Sequence, residues 1–346
     1  MKLKTSIASV VALALMAASG ATVASAQSTL ELVKERGHLR CQVGPPSPGY
    51  YNLDSEGSWY GLDVSVCQAV AAAIFGDKTA LEIQSVSSQA RFTALANGES
   101  DMLSRTATHT LTRDTQLGID FMPPNFYDGQ GFTVRRDSGI TSAMELAGAK
   151  VCVTTGTTTE LNLTDFSRAN DLGISNVTFE DYNVRDETYL NGGCDAVTGD
   201  KSSMAGNIAA VPIPGDHMIL PETLSKEPLA AAVRHGDNQW ADIVRWTVFA
   251  LINAEELGIT QANVDDMRAN SADPNVRRML GVESNLNEGL GLEPEWAYNI
   301  IKAVGNYGEI YDAYMGHGEQ GIGIDRAGSL NALWTDGGLM YSPPMR

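Results

Sequence analysis

Apolar positions along this chain repeat with two alternating periods. Leu39 to Val43 reads as a strand, whereas Cys67, Val70, Ala71 and Ile74 fall at helical spacing between Asp63 and Ile74. A capping box, Ser28-Thr29-Leu30-Glu31, opens a short helix that Gly37 ends. The turn-rich segment Gly44-Pro45-Pro46-Ser47-Pro48-Gly49 follows the first strand. Leu81 and Ile83 alternate as in a strand, Phe92 and Leu95 lie on a short helix, and Met102-Leu103 begin the next strand. This β-α-β-α-β order predicts an open, mostly parallel sheet.

The rhythm restarts near Lys150. Val151-Cys152-Val153 reads as a strand, Gly156 as a tight turn and Thr157 to Ser167 as a helix. Val177 to Phe179 is a further strand, a helix lies around Thr188 and Leu190, and Ala196-Val197 is a strand again. A return segment around Lys226 to Val233 precedes a long amphipathic helix from Gln239 to Leu257, stopped by Gly258. The second α/β unit is therefore inserted into the first. Beyond it, Pro294 suits the first turn of a helix carrying Trp296, Ile300, Ile301 and Val304.

The amino terminus adds an address. Lys2 and Lys4, the apolar run Ile7 to Ala18 and the small residues Ala24-Ser25-Ala26 make residues 1–26 a secretory signal peptide. The apolar run is too short to span a bilayer. Its removal lowers the basic count from 24 to 22 against 42 acidic residues, so the mature net charge is −20. Such a chain repels nucleic acid and anionic membrane surfaces. Four cysteines in an exported protein favour disulfides. Spacing suggests Cys41 with Cys67 and Cys152 with Cys194, and no C-x-x-C pair favours zinc instead.

Ligands of α/β sheets bind beyond the carboxyl ends of the strands, and three such segments carry chemistry. Ser104, Thr106, Thr108 and Thr110 alternate before Arg113, which predicts an extended strand with one hydroxyl face and a guanidinium able to grip a carboxylate. Thr154 to Thr159 enters a helix, where unpaired amides and the helix dipole suit an anion. Asp200 follows an apolar strand by one glycine, placed for an ammonium group or as an ordinary cap of the next helix.

Together these segments resemble the extracytoplasmic solute-binding proteins of ATP-binding-cassette transporters for polar amino acids. Gly57-x-x-x-Gly61-Leu62-Asp63 is similar to a further element of that family, with Leu62 in place of the usual Phe. The blocks from Thr110 to Gly118, Tyr127 to Phe132, Val304 to Glu309 and Leu333 to Tyr341 are similar to its broad-specificity branch, the general L-amino acid binding proteins. The resemblance covers most of residues 28 to 257 and implies a type II periplasmic binding protein: two α/β lobes hinged by two crossovers, near Gly131 to Arg136 and Pro228 to Arg234, with a C-terminal extension. The expected division is residues 27–133 for the first part of lobe 1, 134–231 for lobe 2, and 232–346 for the return to lobe 1 and the extension.

Carried over by position, Arg113 clamps an α-carboxylate with Thr108 and the amides of Thr157 and Thr158. Asp200 takes the α-ammonium, assisted by Thr106. Tyr50 is the expected aromatic cover, with Tyr51 and Trp59 as rivals. Arg91 falls where acidic-amino-acid binders contact a side-chain carboxylate, and Arg105 replaces a smaller residue at the side-chain pocket. The resemblance implies a periplasmic monomer that binds free L-amino acids, among them Glu, Gln, Asp and Asn, and delivers them to a membrane permease, without cofactor or metal. An exported dehydratase on the same fold is the first alternative, but no histidine pattern of a catalytic site is present, and His109 alternates away from the threonine row. A module feeding a sensor receptor is the second.

Overall fold

The computed structural model describes residues 27–283 and 285–346; the expected signal peptide lies outside them. One continuous sheet runs through the molecule in the order Leu81–Ser85, Leu39–Val43, Met102–Leu103, Lys226–Arg234, Ile119–Arg135, Ala196–Asp200, Lys150–Thr154, Ser175–Phe179, with His217–Ile219 pairing Ile119–Arg135 from the side. Parallel pairs lie at both ends and antiparallel ones in the middle.

The middle joins two bodies. Along Ile119 to Gly129 the 17-residue strand Ile119–Arg135 pairs with Arg234 to Lys226, and from Gln130 to Val134 it pairs instead with Asp200 to Ala196. Its partner thus changes at Gly129–Gln130. Sequence periodicity does not reveal this strand, because Pro123 and Pro124 interrupt it. Pairing shifts register beside Pro124, between Leu229 and Ala230, which is where a residue without an N–H is tolerated.

Each body has its own core. In the first, the helices Leu62–Phe75, Asn238–Glu256 and Trp296–Val304 pack Val70, Val244, Leu251 and Ile300 against Leu39 and Val43. Helix Asn238–Glu256 buries Trp240, Ile243, Val244, Val248, Leu251 and Ile252 on one stripe, and each such side chain contributes roughly 1.5–3 kcal/mol. The second core gathers Phe132, Val134, Val151, Val153, Leu163, Ala196 and Leu220. Both expected disulfides are formed, Cys41–Cys67 tying strand to helix in the first body and Cys152–Cys194 bracing the second.

The C-terminal segment is an integral brace of the first body. Asn331 pairs with both the N–H and the carbonyl of Tyr127 on the long strand, at 2.7 and 3.0 Å, and the Tyr307 hydroxyl donates to the Asn125 carbonyl at 2.8 Å. Arg326 forms a two-armed ion pair with Glu255 and lies over the faces of Tyr307 and Tyr311.

Candidate ligand-binding site

The two bodies face each other across a cavity of about 620 Å³, counted with its mouth to solvent. One wall is built from the first body: Tyr51, Ser88, Arg91, Arg105, Thr106 and Thr108. The other comes from the second body: Thr154, Thr157, Thr158 and Thr159, Tyr182, Arg185, Gly199, Asp200, Met204 and Asn207.

The threonine row is not the continuous strand that alternation predicts. Only Met102–Leu103 is strand, Thr106 has φ 37°, and helix Leu111–Gln116 begins immediately after the row. The hydroxyls therefore diverge. Ser104 donates to buried Asp63 at 3.1 Å, and Thr110 caps the helix by accepting from the Arg113 N–H. Asp63 also accepts from the Thr106 N–H at 2.8 Å and from Asn125 at 2.8 Å, so it holds the irregular turn that aims Thr106 and Thr108 into the cavity. A polar turn satisfied by a side chain reads in sequence much like a polar strand.

Arg113 sits one layer behind the wall and is not among the lining residues. Its Nη1 donates to the Thr108 carbonyl at 3.0 Å and its guanidinium lies 5.0 Å over the Phe92 ring, which fixes its orientation. Burial lowers its pKa to about 10, opposed by Glu227 and Asp200. Asp200 lines the cavity, ends the strand Ala196–Asp200 and precedes the helix Lys201–Ala209 without capping it through its side chain. Asp200 thus holds the N-cap position while its carboxylate makes no cap hydrogen bond and borders the cavity instead. Burial first, then the Asp128 and Glu227 carboxylates, push its pKa well above the usual range, against Arg113 and Arg185. Burial raises Asp128 to about 6 in spite of hydrogen bonds from Ser202 and the Gly129 N–H.

Of the three aromatic candidates, Tyr51 lines the cavity, its hydroxyl 2.9 Å from Thr106 Oγ1. Tyr50 is fully buried beside it and reaches across to Ser202 Oγ at 2.7 Å, which in turn donates to Asp128. It lies outside the cavity because it belongs to the turn Ser47–Tyr51, closed by the Tyr50 and Tyr51 N–H groups donating to the Ser47 carbonyl at 3.2 and 3.1 Å. Trp59 sits in the Asn52–Leu53/Trp59–Tyr60 hairpin, also away from the cavity.

Arg91 and Arg105 are buried to 3% and 2% exposure, and both line the cavity. Arg91 donates to the Ser88 carbonyl at 2.6 Å and Arg105 to the Ser88 hydroxyl at 3.3 Å. Arg91 Nε and Arg105 Nε and Nη1 have no partner within the described protein. Buried guanidinium donors without acceptors are costly, and an anionic or amide ligand group would satisfy them. Thr157 caps helix Thr158–Ala169, whose amino end borders the cavity.

Sequence reasoning missed four participants. Arg185, 6% exposed, projects into the cavity from helix Tyr182–Leu190 while pairing with Asp186 at 2.7 Å. Tyr182 lines the same wall, and its hydroxyl donates to the Pro45 carbonyl across the cleft. Asp128 and Glu227 stand behind Asp200 on the two strands that join the bodies. An acid inside an apolar strand run, as in Lys226-Glu227-Pro228-Leu229-Ala230, is the one signal that could have marked Glu227.

A model of the bacterial extracellular solute-binding proteins, family 3, matches residues 39–263. The chain belongs to that family. It is 49% identical over 331 residues to the general L-amino acid-binding periplasmic protein AapJ of Rhizobium johnstonii, covering 95% of this chain and 96% of the relative. It is 47% identical over 336 residues to the glutamate/glutamine/aspartate/asparagine-binding protein BztA of Rhodobacter capsulatus, covering 97% of each. Among solved structures, a periplasmic binding protein from Brucella ovis with glutathione bound superimposes with a TM-score of 0.89 at 47% identity, over 92% of this chain and all of that one. The expected family and the type II binding-protein fold are thus both borne out. Among the described residues no helix is long and apolar enough to cross a membrane.

Asp200 gives the site a pH signature. Were an ammonium group to bind beside it, the carboxylate would be stabilised, and binding should expel the proton that burial holds on the Asp128–Asp200 pair. Affinity should therefore rise with pH above the ordinary carboxylate range, because burial holds the Asp200 proton to higher pH than usual. Calorimetry near neutral pH in buffers of different ionisation enthalpy should record proton release; proton uptake, or no exchange, would contradict the charge assignment.

Proposed function

We propose that this protein binds free L-amino acids in the periplasm, after export through a cleaved signal peptide, and delivers them to the permease of an ATP-binding-cassette transporter. One observation carries the reading: a buried cavity between two bodies holds a carboxylate on one side and a bank of guanidinium groups on the other, which matches a ligand carrying both signs. The α-ammonium goes to Asp200, assisted by Thr106. The α-carboxylate goes towards Arg113 and the amides at Thr157 and Thr158; Thr108, expected to join them, spends its hydroxyl proton on Glu227. Arg91 and Arg105 take the side-chain end, which suits Glu, Gln, Asp and Asn, the ligands named for one of the relatives. Tyr51 takes the covering role expected of Tyr50.

The protein acts as a monomeric carrier and not as an enzyme on this reading. No histidine lines the cavity, and His109 is stacked on Phe121 with ring centroids 4.7 Å apart. Titration calorimetry with the twenty amino acids tests the proposal. Glutamate, glutamine, aspartate and asparagine are expected to bind, each once per chain. A protein that takes up none of them would end the proposal.

A further inference from the structure

Glu227 has no part in the expected binding scheme, yet it is 1% exposed at the junction of the two bodies. Its carboxylate accepts four hydrogen bonds. Oε2 takes the hydroxyl protons of Thr108, at 2.5 Å, and Thr158, at 2.9 Å; Oε1 takes those of Asn162 Nδ2, at 3.0 Å, and Ser225 Oγ, at 2.5 Å. An ionised carboxylate has about four lone-pair sites and accepts only, so every one of these contacts fixes the proton of its partner.

Two consequences follow from the same geometry. Thr108 belongs to the first wall and Thr158 and Asn162 to the second, so a single side chain on the joining strand Lys226–Arg234 gathers donors from both sides of the cleft. The second concerns the ligand. A hydroxyl has one proton; with theirs committed to Glu227, Thr108 and Thr158 offer a ligand only lone pairs. They repel a carboxylate and attract an ammonium group, which leaves the α-carboxylate to Arg113 and backbone amides.

We propose that Glu227 is a positioning residue that latches the closed cleft and sets the polarity of the Thr108 and Thr158 hydroxyls. The inference rests on the amino-acid reading for its ligand arm only. Opening the cleft must separate Glu227 from donors on one wall, so the latch slows ligand release without speeding capture.

Stopped-flow kinetics with glutamate test this on two variants. Glu227→Gln replaces half of the acceptor set with donors, and Asn162→Ala removes a latch contact that does not line the cavity. Both should raise the glutamate dissociation rate by about tenfold, the effect of losing roughly 1.4 kcal/mol, with association within about twofold of the native protein. Asn162→Ala keeps the proposal testable if the acid variant fails to fold. Native release rates in the folded variants would overturn the latch while leaving the amino-acid reading standing. Should the native protein bind no amino acid, small-angle scattering of ligand-free protein decides: variants more extended than the native chain support the latch, and identical profiles overturn it.

Discussion

Replacing Arg113 by alanine should weaken glutamate binding by about 2–5 kcal/mol, roughly thirty- to several-thousandfold, because a ligand carboxylate is then buried without its counter-ion. The guanidinium is nearly buried one layer behind the cavity wall, held by the Thr108 carbonyl on one side and the Phe92 face on the other, so its charge is already fixed in place beneath the site. It also lies within electrostatic reach of Asp200 and Glu227, which keep it charged despite burial. Lysine at the same position should not restore affinity, since one ammonium cannot reproduce a two-armed contact. Calorimetry on the alanine variant giving affinity within a few-fold of the native value would remove Arg113 from the site.

The second large effect concerns stability. Cys152–Cys194 closes a stretch separated by 42 residues in the second body, whose core is much the smaller of the two. Replacing both cysteines by serine should cost about 4 kcal/mol in the chain-entropy model. Because the bodies have separate cores, denaturant unfolding of the variant should split into two transitions, the earlier one reporting the second body. A single transition at the native midpoint would show that this bridge contributes nothing to that body.

Much of the fold is legible in the sequence because local signals agree with the tertiary outcome. The helix Thr29–Arg36 has its Ser28–Glu31 capping box and ends at Gly37 in the left-handed conformation, as expected. The strands Leu39–Val43 and Lys150–Thr154 and the helices Leu62–Phe75 and Asn238–Glu256 fall where periodicity sets them. The long strand Ile119–Arg135 escapes, since its prolines and its exchange of partners at Gly129–Gln130 leave no regular period.

At the site, the groups that face the cavity through short local motifs are legible: Thr106, Thr108, Thr157, Thr158 and Asp200 all line it, and so do Arg91 and Arg105. What escapes depends on distant packing. Tyr51 lines the cavity and Tyr50 does not, because the preceding proline-rich loop sets which of them turns inward. Arg185 and Tyr182 arrive from a helix whose sequence looks solvent-facing, and Glu227 acquires its meaning only when donors more than sixty residues away close around it.

The amino-acid titration, extended to two truncated ligands, bears most directly on the paired-charge cleft. Glutarate lacks the ammonium that Asp200 should meet, and 4-aminobutyrate lacks the α-carboxylate that Arg113 should meet. Each is expected to bind at least about a hundredfold more weakly than glutamate, as losing a charged hydrogen-bonded partner entails. Either one binding within tenfold of glutamate would mean that the cleft does not hold its ligand by both charged ends.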